Sequence, residues 1–272
     1  MTIDLSGKVA IVTGGGRGLG RAMTLALTEA GADVVAAGHI PHDIEPIRYE
    51  VSEQGRGRCH AMLADVRKPD NCERVVQAAI DRFGHLDMMV NNAGLAYPGS
   101  IVDGQPEQWR EMLEVNVLAL LVGSQAAVNA MRRLGNGGHV VNISSVAALR
   151  HDSGVYGATK HAVNCITQTL REELANEDIR VVNIMPGAVA TNFARNYDPE
   201  IVKGIGAVAG IELDWEPGDH IPDEALEKVQ STLEKLLAAP EDIADAVLYA
   251  VSVPLRLNID EVVVRPAQQL QL

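Results

Sequence analysis

The chain of 272 residues has few cysteines, few aromatic side chains and few positive charges. Its three cysteines, Cys59, Cys72 and Cys165, form no Cys-x-x-Cys pair, which argues against a disulfide framework or a metal site and fits a reducing compartment. Lysine and arginine number 23 against 36 aspartates and glutamates. The resulting net charge of −13 argues against a nucleic-acid partner, which would need a basic surface.

The sequence also has no uninterrupted apolar run approaching the roughly 18 residues of a membrane helix. The first residues, Met1 to Ser6, lack the basic region and apolar core of a signal peptide. Hydrophobic residues make up 47% of the chain, which predicts a folded globular protein. We therefore expect a cytoplasmic protein without membrane association, with a single domain over residues 1–272.

A glycine-rich turn lies between a predicted strand and a predicted helix. Val9 to Val12 form an apolar run that is typical of a parallel-sheet strand buried on both faces. The sequence Thr-Gly-Gly-Gly-Arg-Gly-Leu-Gly follows at 13–20, then a helical pattern and a second strand at 34–37. Glycines let backbone N–H groups approach a pyrophosphate, and a helix N terminus favours negative charge. The turn therefore predicts a dinucleotide site, with an unliganded flexible loop as the alternative.

Tyr156 and Lys160 lie four residues apart on a predicted helix, so they share one face of it. An ammonium beside a phenol, whose reference pKa is about 10, favours the phenolate and lowers the pKa. The pair can then exchange protons with a substrate. Ser144 and Ser145 end a buried strand predicted at 138–143, where a hydroxyl can donate to a substrate oxygen.

Asn116 stands among apolar residues of a long helix predicted over about 106–134. A buried asparagine costs free energy unless it is hydrogen-bonded. It is either a satisfied core residue, or it marks a kink that holds an ordered water leading to the lysine.

Five separated motifs together resemble those of the short-chain dehydrogenase/reductase family. They are the loop 13–20, Asp65-Val66, the tetrad Asn91-Asn92-Ala93-Gly94, the serine with Tyr-x-x-x-Lys, and the Pro-Gly-x-Val-x-Thr run at 186–191. The resemblance covers about residues 5–192, and 240–266 in outline. It implies an α/β fold with a doubly wound parallel β-sheet flanked by helices, of the Rossmann type. It also implies an NAD(P)-dependent oxidoreductase that acts on a small-molecule secondary alcohol or ketone.

The resemblance also implies roles for single residues. Tyr156 would exchange the proton, Lys160 would lower its pKa and bind the nicotinamide ribose, Ser145 would stabilise the developing charge, and Asn116 would hold a water. The eleven positions from Ser145 to Tyr156 make the intervening loop shorter than usual, so Ser144 stays open as the alternative. The residues expected at the cofactor are Thr13, Gly14, Gly16, Arg17, Gly18, Leu19, Gly20, His39, Asp65, Val66, Asn92, Ala93, Gly94, Tyr156, Lys160, Pro186, Gly187, Val189 and Thr191.

The end of the second strand normally selects between the two nicotinamide cofactors. A carboxylate there binds the adenosine ribose and repels a 2′-phosphate. This sequence has Gly38 and His39 at that point, with Asp43 four residues further on. Arg17 could pair with a 2′-phosphate. We therefore predict NADP, with a modest preference over NAD. His39 either contacts the cofactor at this strand end or is an exposed turn residue.

Residues 193–239, with ten acidic and four basic side chains, are expected to form a lid over the substrate. An amphipathic helix is predicted at 223–239. Met185 and Trp215 are candidates for the substrate pocket, and Trp215 is alternatively a packing anchor. The closing strand at 259–264 is expected at a subunit contact, which implies a homotetramer or a homodimer.

Two other functions remain open on this fold. One is a regulator that binds the cofactor without catalysis. The other is an epimerase or a dehydratase, in which the cofactor undergoes no net change of oxidation state.

Overall fold

The computed structural model describes residues 3–54, 56–197, 199–212, 216 and 218–268. Across these residues, seven parallel strands form one sheet in the order β3-β2-β1-β4-β5-β6-β7. The strands are β1 (Val9–Thr13), β2 (Asp33–Gly38), β3 (Cys59–Leu63), β4 (Met88–Asn91), β5 (Gly138–Ile143), β6 (Ile179–Pro186) and β7 (Glu261–Val264).

Helices cover both faces of this sheet. The α-helices are α1 (Gly18–Glu29), α2 (Pro41–Ile44), α3 (Ile47–Gln54), α4 (Pro69–Phe83), α5 (Pro106–Leu113), α6 (Ala119–Leu134), α7 (Gly154–Glu173), α8 (Pro199–Val208), α9 (Asp223–Thr232) and α10 (Pro240–Ser252). Helices α1 and α10 pack on one face, and α4, α6 and α7 pack on the other. The predicted doubly wound α/β fold is confirmed.

Strand β1 is buried on both faces, which explains why its residues at 9–12 are all apolar. Ala10 and Val12 belong to the core under α1 and α10, whereas Val9 and Ile11 belong to the core under α4 and α6. Successive side chains of a strand point to opposite faces, so a strand with helices on both sides needs apolar residues at every position.

The strand order changes direction at β1, because β2 and β3 lie on one side of it and β4 to β7 lie on the other. Strand β1 pairs with β2 on one side and with β4 on the other. In open α/β sheets, ligands bind at such a switch point, outside the carboxyl ends of the strands. The predicted loop at 13–20 and the tetrad at 91–94 both begin there.

Two predicted helices differ in the structure. The sequence pattern predicts one helix at 43–54, but the structure has two helices, α2 and α3, with Pro46 between them. Proline lacks an N–H group, so the helical hydrogen bond that residue 46 would donate is missing. The helix expected at 223–239 ends at Thr232, and Ala238 instead forms a parallel bridge with Val189.

The helical run from Pro106 to Leu134 is long and apolar enough to cross a membrane, by length and composition alone. Its inner side packs against α4, β4 and β5, where Ala127 and Met131 are fully buried. The run is interrupted at Glu114–Leu118 by a π-helical turn that contains Asn116.

We expect Ile184 in the middle of β6 to be a large contributor to stability, because it is 0% exposed in the core under α10. Ile184→Ala should lower the free energy of unfolding by about 2–5 kcal/mol, measured by urea denaturation. Val208→Ala on α8, at a position 69% exposed, is the control and should cost less than about 1 kcal/mol. Equal losses from the two variants would contradict this description of the core.

Candidate active site

Close backbone packing forms the loop at the end of β1. Gly14 has a positive φ of 65°, and a Cβ on Gly20 would lie 1.9 Å from the carbonyl oxygen of Gly14. Only glycine therefore lets the first turn of α1 approach the loop this closely. Helix α1 has neither a side-chain cap hydrogen bond nor an acidic residue in its first turn. Its N-terminal N–H groups thus suit a pyrophosphate.

The Thr13 side chain joins this loop to the tetrad that follows β4. Its Oγ1 accepts hydrogen bonds from the backbone N–H groups of Asn92 and Ala93, each at 3.0 Å, and donates to the carbonyl oxygen of Val90 at 3.3 Å. The Asn92 side chain donates back to the carbonyl oxygen of Thr13 at 2.8 Å. Two segments predicted to contact the cofactor are thereby held side by side.

Lys160 on α7 is buried at the carboxyl edge of the sheet, with 5% of its surface exposed. Its Nζ donates to the carbonyl oxygen of Ile143 at 2.9 Å and lies 5.9 Å from the centre of the Tyr156 ring. Burial lowers the pKa of the Lys160 ammonium to about 8, because the charged form loses solvation. The pair expected from the sequence does occur on one helix face.

The Tyr156 phenol differs from the expectation about its acidity. Burial is the largest influence and raises its pKa, while hydrogen bonding with the Ser145 hydroxyl acts in the opposite direction. The phenol of Tyr197 adds a smaller contribution that raises the pKa further. The Phe193 ring packs against the Tyr156 ring with centroids 5.6 Å apart. In this environment Lys160 alone does not produce the lowered pKa that the sequence predicted.

The two neighbouring serines have different surroundings. Ser144 is buried, and its Oγ donates to Oδ1 of Asn164 at 2.6 Å and contacts the Lys160 carbonyl oxygen at 3.3 Å. The Ser145 side chain accepts from the N–H of Ala147 at 3.1 Å, at the start of a 3₁₀ turn. Ser144 therefore ties β5 to α7, whereas Ser145 lies beside the Tyr156 phenol.

Asn116 is a satisfied buried residue within the π-helical turn. Its Oδ1 accepts from the N–H of Leu95 at 2.9 Å, and its Nδ2 donates to the Leu95 carbonyl oxygen at 2.8 Å and to Oγ1 of Thr159 at 3.1 Å. Gly94 lies next to both Asn116 and Lys160, since a Cβ atom added to it would be 3.3 Å from the Asn116 Oδ1 and 3.8 Å from the Lys160 Nζ. The water relay expected at Asn116 stays a prediction.

The run after β6 meets the glycine-rich loop from the other side. Pro186 and Gly187 lie beside β7, and the Gly187 N–H donates to the Val264 carbonyl oxygen at 2.8 Å. Gly18 of the glycine-rich loop lies close to Thr191, since a Cβ atom added to Gly18 would be 3.5 Å from the Thr191 Cβ. Val189 is held by its bridge to Ala238.

Charged residues surround the predicted adenosine end. Asp65 lies after β3 and is held by Arg67, whose Nη2 is 2.8 Å from Oδ2, and this guanidinium lowers the pKa of the carboxyl group. Val66 follows at the same edge, and its carbonyl oxygen contacts the Sγ of Cys72 at 3.5 Å. His39 is exposed and close enough to Asp65 to contribute to that lowering. Arg17 is not free, because it forms an ion pair with Asp43.

A small packed unit follows Thr191 and lies beside the Tyr156 ring. Asn192 is buried, accepts from the Ile221 N–H at 2.7 Å and donates to the Ile221 carbonyl oxygen at 3.0 Å. Met185 is fully buried against Asn164, which places it in the core, and Trp215 lies outside the described residues. Sequence reasoning did not assign Phe193, since a single aromatic residue in a variable segment carries no pattern.

The structure brings the predicted site residues to one edge of the sheet and also shows polar partners that the sequence did not indicate. Asp43, Arg67 and Thr159 each contact a predicted site residue. Asp43 and Thr159 come from other parts of the fold than their partners Arg17 and Asn116, so no motif identifies them, whereas Arg67 lies two residues after Asp65. The burial of these groups and the charges beside them therefore depend on the folded structure.

We expect the stability of the protein to depend on Lys160 in a pH-dependent way. The folded-state pKa of about 8 lies below the unfolded value of about 10.4, so the cost of burying the charge is full below pH 8 and disappears as the pH rises towards 10.4. Relative to Lys160→Met, the parent should gain about 2 kcal/mol of unfolding free energy between pH 7.5 and 9.5.

Urea denaturation across that pH range measures the difference between the two proteins. The matched control is Lys203→Met at an exposed position of α8, where removing the charge relieves little burial cost. A constant difference between Lys160→Met and the parent would contradict the burial of a charged ammonium.

Comparison with known proteins agrees with this geometry. A family model described as short chain dehydrogenase matches residues 8–201. The chain is 32% identical to an uncharacterized oxidoreductase of Staphylococcus aureus strain USA300 over 268 residues, 98% of this chain and 100% of the relative. It is also 32% identical to a farnesol dehydrogenase of Aedes aegypti, over 96% of each chain.

A solved structure of an alcohol dehydrogenase from Thermococcus sibiricus, complexed with 5-hydroxy-NADP, has a similar fold. The TM-score is 0.75 at 27% identity, covering 97% of this chain and 99% of the other. With the family model matching more than half of the sequence, the chain belongs to the short-chain dehydrogenase family.

Proposed function

We propose that this oxidoreductase transfers a hydride between a nicotinamide dinucleotide and a secondary alcohol or ketone. The observation that carries the proposal is Lys160, a buried ammonium on the same helix face as the Tyr156 phenol, with the Ser145 hydroxyl beside that phenol. A buried amine beside a half-buried phenol costs solvation free energy that an ordinary core would avoid.

The residues at the switch point fit a dinucleotide. The loop after β1 has no room for a side chain at Gly20 and a positive φ at Gly14, and the α1 N terminus suits the pyrophosphate. Ala93 and Gly94 leave space for a ribose next to Lys160, and Val189 and Thr191 would hold the nicotinamide carboxamide. When bound, the nicotinamide gives or takes the hydride.

The chain's own part is to move a proton and to hold the substrate oxygen. In the reductive direction the protonated Tyr156 donates to the carbonyl oxygen, and in the oxidative direction its phenolate accepts from the alcohol. Ser145 donates a hydrogen bond to the same oxygen. The Lys160 ammonium stabilises the phenolate, and Asn116 orders the segment that contains Gly94.

The cofactor is proposed as NADP or NAD. The absence of a side chain at Gly38 and the presence of Arg17 favour NADP, and the Thermococcus sibiricus structure contains an NADP derivative. The modest preference for NADP stays a prediction, because Arg17 is engaged by Asp43.

The substrate proposed is a neutral, mainly apolar alcohol or ketone. The Phe193 ring lies against Tyr156, and Tyr197 is the second aromatic residue of this region. Residues 193–239 carry an excess of acidic side chains, which disfavours an anionic substrate. The farnesol dehydrogenase among the relatives acts on an apolar alcohol by its name, which agrees with this class.

Exposed apolar side chains support a proposal for the assembly of the protein. Leu113, Leu118 and Leu121 are exposed on the outer side of the α5–α6 run, and Val263 is exposed on the edge strand β7. Such apolar positions suit contacts between copies of the chain, as a homotetramer or a homodimer. We propose a cytoplasmic location, with residues 193–239 as the cover of the substrate site.

We expect Tyr156→Phe to lower kcat by roughly 10²–10⁴-fold, because it removes the proton donor and keeps the ring. Reduction of a panel of apolar ketones is followed by oxidation of the nicotinamide cofactor. The control is Tyr249→Phe, an exposed tyrosine on α10, which should keep the parent activity.

Cofactor affinity should be unchanged in Tyr156→Phe within about threefold, since binding does not need the phenol proton. If Tyr156→Phe retains the activity of the parent, the proposed mechanism is wrong. Turnover of substrate without net change of the cofactor would instead indicate an epimerase or a dehydratase, and binding without any turnover would indicate a regulator.

The two serines should respond differently to removal of the hydroxyl. Ser145→Ala should lower kcat by roughly 10²-fold, because it removes a donor to the reacting oxygen. Ser144→Ala should leave kcat within about threefold of the parent and lower the free energy of unfolding by about 0.5–1.5 kcal/mol, because it removes the 2.6 Å hydrogen bond to Asn164, whose Oδ1 still accepts from Asn183. Kinetics and urea denaturation on the same two proteins test this, and the reverse assignment would follow if the effects were exchanged.

A further inference from the structure

The short helix α2 folds back across the end of β2. A Cβ on Gly38 would lie 3.4 Å from the side chain of Ile44, the last residue of α2, and a Cβ on Gly16 would lie 2.3 Å from the carbonyl oxygen of Asp43. Ile44 is buried in a cluster with Ala36 and Ile47. Helix α2 therefore touches the glycine-rich loop through its backbone, and through the Ile44 side chain it touches the strand end where the cofactor is normally selected.

This packing fixes Asp43 beside the one guanidinium of the loop. Its Oδ2 lies 3.1 Å from the Arg17 Nη1, and its side chain is only 10% exposed. The Arg17 side chain is 26% exposed, so solvent screens this ion pair less than it screens a pair on the open surface. The second oxygen of Asp43 lies 3.3 Å from the Nε2 of His42, which is mostly exposed.

A 2′-phosphate and the Asp43 carboxylate would compete for the same guanidinium. Arginine binds either group through charge-assisted hydrogen bonds, and two anions in contact with one cation repel each other. A ribose with a free 2′-hydroxyl avoids this conflict, since a hydroxyl can donate to a carboxylate while the ion pair stays intact.

We infer that Asp43 is a specificity residue for the adenosine ribose, which holds Arg17 and thereby weakens binding of NADP relative to NAD. The carboxylate that is missing at the strand end is supplied from α2, five positions after Gly38. This inference rests on the proposed use of a nicotinamide dinucleotide and concerns binding alone.

Isothermal titration of the full chain with NAD and with NADP gives the two dissociation constants. In Asp43→Asn, the ratio of the NADP constant to the NAD constant should fall by roughly tenfold or more, because Arg17 becomes available and one negative charge is removed. The control is Glu45→Gln, which removes an exposed negative charge two residues away and should leave the ratio within about twofold of the parent. Circular dichroism verifies the fold of both variants.

A double-mutant cycle with Arg17→Leu separates competition for Arg17 from simple repulsion by Asp43. Arg17→Leu should weaken NADP binding more in the Asp43→Asn background than in the parent, where Asp43 already occupies the guanidinium. The inference is overturned if Asp43→Asn and Glu45→Gln change the ratio equally, or if the cycle shows no coupling. The absence of binding of either dinucleotide would overturn the proposed function as well, whereas tight binding with no shift would overturn this inference only.

Discussion

One hydroxyl group holds the cofactor side of this molecule together. Thr13 ends β1 and receives two backbone N–H groups from the segment after β4. The ladder between β1 and β4 ends at the pair Val12 and Val90, and beyond it the two segments lead into different connections. The Thr13 hydroxyl and the Asn92 side chain, which donates to the Thr13 carbonyl oxygen, hold the glycine-rich loop beside the segment that contains Gly94. The pyrophosphate region and the catalytic region are consequently parts of one rigid edge.

Most of the fold could be predicted from local pattern, because buried parallel strands and amphipathic helices have distinct periods. The apolar run at 9–12 and the glycine-rich turn at 13–20 were sufficient to predict β1 and the start of α1. The division of the helix at Pro46 was not predicted, since the residues on both sides favour a helix. That division determines where Asp43 lies, so the partner of Arg17 was hidden from the sequence for the same reason.

The acidity of the catalytic residues is a property that could not be predicted from the sequence. The spacing of Tyr156 and Lys160 predicted their common face, which the structure has. It could not predict their acidity, because burial, which depends on packing by residues such as Phe193, dominates the charge of a neighbour. Ser144 and Ser145 are equivalent as sequence, and the fold distinguishes them by their partners, which are Asn164 on α7 for Ser144 and the Tyr156 phenol for Ser145.

The paired hydrogen bonds between Asn192 and Ile221 have a consequence for how this enzyme can change over time. Together with the bridge from Val189 to Ala238, they join the ends of the intervening chain through the Asn192 side chain and through backbone groups. A change of length between these contacts costs little closure entropy, because that entropy rises only slowly with loop length. Apart from Phe193 and Tyr197, which lie next to Tyr156, the intervening residues can therefore diverge in length and sequence while their two ends stay attached at the same place in the fold.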